Sequence, residues 1–82
     1  MPNNHIAFEN KDYYIELGLN IAFYRKREGM TQEILAEKSG VSRSHLSAIE
    51  APNIIRPFSM EILFNIARAL NVAPCKLLEF RE

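Results

Sequence analysis

The side chains in this sequence that could do chemistry are hydrogen-bonding groups gathered in one stretch, TQEILAEKSGVSRSHLSAIE, from Thr31 to Glu50. Covalent and acid–base catalysis lack their parts. The two histidines, His5 and His45, stand far apart, Cys75 is the single cysteine, and there is no glycine-rich phosphate loop. These residues leave no constellation of nucleophile, base and oxyanion donors, so no enzyme and no cofactor is expected. His45 has no second histidine or cysteine nearby and is not expected to bind a metal. On a helix turning about 100° per residue, Leu46, Ile49 and Glu50 point one way, Ser44 and Ala48 the opposite way, and His45 and Ser47 lie on the flanks. An outward ridge of small residues lets a helix lie flat against base edges in the major groove of DNA. A purely structural pair of helices around a glycine turn would carry the same pattern.

The elements that hold this stretch come from punctuation and periodicity. A chain of 82 residues makes one small domain, and such a domain buries only about 60–65% of the surface its unfolded chain exposes, so it depends on efficient packing. The signals are helical throughout. Asp12 to Glu28 is expected as a first helix, with Leu17, Ile21 and Tyr24 on one face and a basic last turn that suits the negative end of the helix dipole. Thr31 caps a short second helix with Leu35 and Ala36 inward, and Gly40 ends it in a left-handed conformation. Ser42 caps a third helix, Ser59 a fourth, and Pro74 opens a short fifth with Leu77 and Leu78. The segment MPNNHIAFENK, residues 1–11, lacks helical periodicity and is expected to be a mobile arm or an edge packed loosely on the body, with His5 in solvent, leaving residues 12–82 as the domain.

Charge neither requires nor forbids a nucleic-acid partner. Ten basic and ten acidic residues sum to zero, so any attraction to phosphate must be local. Between Arg25 and Arg56 the cations are Arg25, Lys26, Arg27, Lys38, Arg43 and Arg56, against Glu28, Glu33, Glu37 and Glu50. The lone cysteine and the absence of a basic-then-apolar leader point to the cytoplasm, and no apolar run approaches membrane-spanning length.

The residues Leu17-Gly18, Ile21, Tyr24-Arg25, Gly29 to Gln32, Leu35-Ala36, Ser39 to Ser42, Leu46-Ser47 and Ile49-Glu50 resemble the signature of the phage-repressor and Cro type helix-turn-helix family, the xenobiotic-response-element-like regulators. Ile66-Ala67, Ala69-Leu70, Val72 and Leu77-Leu78 continue the likeness, which covers roughly residues 15 to 79. The resemblance implies an all-α, five-helix lambda-repressor-like domain whose second and third helices flank Gly40. It also implies a homodimer on a palindromic duplex operator, acting as a small transcriptional regulator or repressor. The alternative is an antitoxin-like or adaptor module that keeps the fold but binds another protein.

The resemblance assigns roles residue by residue. Gln32 matches the family glutamine that approaches the phosphate backbone, which positions the protein without carrying sequence information. Arg43 and Ser44 match the first base-facing positions of the recognition helix, and Ala48 the next one a turn later; phosphate is the competing target for Arg43. Ser47 is either groove-facing or plain helix surface, and His45 belongs to the flank or the phosphate side. Arg25 and Glu50 match positions that pair across the first and third helices, and the angular count puts Glu50 inward, where an unpaired carboxylate is costly. After Glu50 the chain departs from the family pattern, with APNIIRPF in place of a basic residue and glycine. Asn53 and Arg56 are candidate phosphate contacts there, although Pro52 and Pro57 each lack an N–H donor. Ile54, Ile55 and Phe58 either fold onto the core or form a patch for a second subunit; the surface for that subunit is expected on the fourth and fifth helices with Leu78, Phe80 or this apolar loop. Cys75 is expected as a small apolar side chain near the start of the fifth helix.

Overall fold

The computed structural model describes residues 8–80, and every regular element among them is helical. A 3-10 turn, Phe8–Asn10, leads into α1 (Lys11–Arg27), followed by α2 (Gln32–Ser39), α3 (Arg43–Glu50), α4 (Met60–Leu70) and α5 (Pro74–Leu77). The 3-10 turn takes up the last residues of the segment before the expected first helix, and α1 starts one residue earlier than Asp12. Asn10, a residue type that favours this position, stands at its N-cap without a side-chain cap bond. His5 lies outside the described residues.

The starts of α2, α3 and α4 follow one chemical rule. Thr31 accepts from the Ile34 N–H at 3.1 Å, Ser42 from His45 at 3.1 Å and Ser59 from Ile62 at 3.2 Å. Each such cap contributes about 1 kcal/mol by satisfying an amide that has no partner inside its helix. Gly40 ends α2 at φ 75°, and its own N–H and that of Val41 both return to the Ala36 carbonyl. Asn71 does the same for α4 at φ 62°, asparagine being one of the few non-glycine residues to tolerate this conformation. Pro74 begins α5, where its missing N–H is no loss.

All five helices feed one core. Ile21, Leu35, Leu46, Ile66, Leu70 and Leu77 are fully enclosed, and Leu17, Ala36, Val41, Ile49, Leu63 and Ala67 complete the cluster. Tyr24, placed by periodicity on the inner face of α1, sits half-buried at the edge of this cluster. α1 and α3 approach so closely that a Cβ on Gly18 would run into the carbonyl oxygen of Ile49. On the far side of α1, Asn20 Nδ2 donates to the carbonyls of Leu77 at 3.0 Å and Glu79 at 3.1 Å. These bonds satisfy carbonyls at the end of α5 and hold that four-residue helix against α1.

Candidate nucleic-acid interface

The inner face of α3 is held from three directions. Leu46 and Ile49 are buried in the core, and Glu50, also buried, takes Arg25 as a two-point partner. Arg25 Nε donates to Glu50 Oε2 at 2.8 Å and Nη2 to Oε1 at 3.0 Å, with side-chain exposures of 11% and 4%. The guanidinium fork matches the carboxylate geometry, and little water remains to screen the pair. Arg25 Nη1 also donates to the Met30 carbonyl at 2.8 Å, tying in the α1–α2 turn. A third donor completes the set: Gln32 Nε2 reaches Glu50 Oε1 at 3.0 Å. An ionised carboxylate only accepts, so Gln32 presents its amide nitrogen here.

The outer face is low and wet. Arg43, Ser44 and Ser47 are exposed, whereas Ala48, expected to point fully outward, is half-buried. Within the described residues no hydrogen bond or ion pair holds the Arg43 guanidinium, so it is free to meet a ligand. The Ser44 hydroxyl lies 3.5 Å from that of the capping Ser42. His45, on the flank, is half-buried, and its Nε2 is enclosed without a hydrogen-bond partner. The arrangement offers one long cationic donor and two hydroxyls over a small methyl, on a helix that cannot shift without breaking contacts behind it.

The segment 51–59 divides. One turn bond, Ile54 N–H to the Ala51 carbonyl at 3.2 Å, follows α3, and Asn53 and Arg56 are both exposed beyond the end of that helix. Of the three apolar side chains left open by sequence, Phe58 packs against the core, Ile55 is half-buried, and Ile54 stays 46% exposed. An apolar groove of about 330 Å³ opens beside Phe58, between α1 and α4, lined by Tyr13, Leu17, Met60, Leu63, Leu78 and others. Phe80 stacks on Tyr13 along it, with ring centres 5.6 Å apart. Cys75 is exposed and does not act as a packed apolar side chain; α5 is one turn long, and Leu77 is its only buried residue.

Sequence reasoning missed four groups that position the site: the Met30 carbonyl, the Gln32 bond to Glu50, Asn20, and the close approach at Gly18. Only the last had a usable signal, because a glycine inside a helix is about 1 kcal/mol worse than alanine and invites a packing reason.

Comparison with known proteins bears on what this surface meets. The Helix-turn-helix family model (HTH_3) matches residues 21–77, from the middle of α1 to the end of α5. The chain is 35% identical over 78 residues to the control protein C.SmaI of Serratia marcescens, covering 95% of this chain and 88% of that protein. It is 34% identical over 68 residues to the competence pilus inhibition repressor of Acinetobacter baylyi, covering 83% of this chain and 60% of that one. Among solved structures, the N-terminal DNA binding domain of SinR from Bacillus subtilis superposes with a TM-score of 0.73 at 35% identity, over 83% of this chain and 97% of that one. The restriction-modification controller protein C.AhdI from Aeromonas hydrophila also gives 0.73, at 30% identity over 78% and 94%. With its helix pair braced from behind and open in front, this chain belongs to the helix-turn-helix family and is a DNA-binding transcriptional regulator.

Proposed function

We propose that this chain is a repressor that binds a palindromic duplex operator as a homodimer in the cytoplasm, with α3 of each copy in the major groove. The observation that carries this reading is the contrast across α3: a buried, doubly hydrogen-bonded back and an exposed front formed by Arg43, Ser44, Ser47 and the edge of Ala48. Arg43 is the chief reader, because arginine can pair bidentately with guanine, while serine donates or accepts and alanine packs on a thymine methyl. Gln32 approaches phosphate from the start of α2, and Asn53, Arg56 and His45 flank the groove. Repression is supported by the name of the Acinetobacter relative. A single helix reads only a few base pairs, so two copies on half-sites about 34 Å apart are needed. The groove between α1 and α4, with the exposed Leu78 at its rim, offers an apolar surface to the second copy.

Selection from random duplex DNA tests the reading: an enriched palindrome supports it, and no enrichment defeats it. On the enriched site, Arg43→Ala is expected to weaken binding by about 1–3 kcal/mol and to relax one base pair in each half-site. A flatter salt dependence with unaltered base preference would instead make Arg43 a phosphate contact. Sedimentation at micromolar concentration, free and on the site, tests the homodimer.

A further inference from the structure

We infer that Gln32 is a positioning residue for the recognition helix, a clasp that closes the open end of the helix-turn-helix. α2 and α3 are joined by the chain at one end only, where α2 stops at Gly40 and α3 begins at Arg43. Gln32 is the first residue of α2 and Glu50 the last of α3, so each lies at the end of its helix farthest from that turn. The 3.0 Å bond from Gln32 Nε2 to Glu50 Oε1 therefore makes a second junction between the two helices. Burial of Leu35 and Leu46 in the shared core sets the crossing of the two helices, and this second junction pins its open end.

The acceptor gives this bond its leverage. The Glu50 side chain is 4% exposed and its two oxygens already receive Arg25 from α1 at 2.8 and 3.0 Å. Arg25 in turn holds the Met30 carbonyl, two residues before Gln32, at 2.8 Å. Gln32 thus joins a closed circuit that runs from α1 to α3, across to α2, and back through the turn. A hydrogen bond to a buried, charged acceptor is stronger than one between neutral groups in water. The two hydrogens on Nε2 also separate two tasks: one is committed to Glu50, and the other remains for a phosphate. Loss of the side chain then disturbs base reading as well as backbone contact, whereas a glutamine acting on phosphate alone would weaken all duplexes equally.

This inference rests, for its second readout only, on α3 reading bases as proposed above. Gln32→Met keeps the length and removes the donor, and Gln32→Lys restores a donor to Glu50. Residual dipolar couplings of the free proteins report the angle between α2 and α3 without any DNA. Gln32→Met is expected to change that angle, and Gln32→Lys to restore it. On DNA, the ratio of affinities for selected and scrambled duplex is expected to fall about tenfold in Gln32→Met, the size of one lost hydrogen bond to a charged acceptor, and to recover in Gln32→Lys. An unchanged angle overturns the clasp, as does an equal loss on both duplexes with the ratio intact. Should the wild-type protein select no sequence at all, the operator reading fails, and the couplings still decide the clasp.

Discussion

The recognition helix is entered through a rigid turn and left through a loose one. At Gly40 the chain reverses in the left-handed region, two N–H groups converge on the Ala36 carbonyl, the Ser39 hydroxyl bonds back to Leu35 at 2.7 Å, and Ser42 caps the next helix. After Glu50, one backbone bond at 3.2 Å spans Ala51 to Ile54 before Ser59 caps α4, and Pro52 and Pro57 remove two donors. The difference teaches where orientation comes from. The N-terminal turn of α3, which carries Arg43 and Ser44, is positioned by local backbone geometry. Its C-terminal turn has no such frame in the chain that follows, and is positioned by side chains from other elements, Arg25 and Gln32 on Glu50 and the bare Cα of Gly18 under Ile49.

Substitutions can break this comparison at either end, and the largest effect falls on the side-chain brace. Arg25→Ala leaves Glu50 buried without its counter-charge and is expected to destabilise the fold by about 3–5 kcal/mol. Chemical denaturation checks this, and an unchanged midpoint would mean the brace carries no weight. Gly18→Ala forces α1 and α3 apart and is expected to cost about 1–3 kcal/mol, the range for overpacking. Its measurable signature beyond stability is weaker binding to the selected duplex, because α3 is displaced. Gly40→Ala places a Cβ in the left-handed region at the rigid turn and should lower stability by about 1–2 kcal/mol. Nothing lies within 4 Å of the added atom, so that loss would reflect backbone strain alone. Asn53→Ala in the loose turn should change stability by less than about 0.5 kcal/mol; a salt-dependent loss of DNA affinity with an unaltered melting curve would mark the loop as a phosphate contact, and a large stability loss would erase the contrast between the two turns.

Much of this was legible in the sequence where the physics is local. Thr31, Ser42 and Ser59 announced helix starts because a serine or threonine oxygen reaches an amide three residues on whatever the rest of the protein does. Gly40 announced a stop because glycine alone enters the left-handed region cheaply. The first helix start, expected at Asp12, falls one residue earlier at Lys11, where Asn10 at the N-cap makes no side-chain cap bond. The outward and inward faces of α3 followed from helical periodicity, although Ala48 lies closer to the body than an ideal wheel places it. The partition of Ile54, Ile55 and Phe58 between solvent and core had no periodic signal, because a loop between two prolines has no fixed repeat.

By itself, then, the sequence determined the number of α-helices, the glycine turn between α2 and α3, and the inward and outward faces of α3. Each of these depends on interactions within a few residues of chain. Only the tertiary structure decided what stands behind that face. Gln32 and Glu50 are 18 residues apart and Asn20 and Leu77 are 57 apart, and their meetings depend on how whole helices cross. The crossing is set by the shared burial of Leu17, Ile21, Leu35, Leu46, Ile66 and Leu70. Burial area is indifferent to which polar groups it brings together at the margin, so those pairings have no local signature to read.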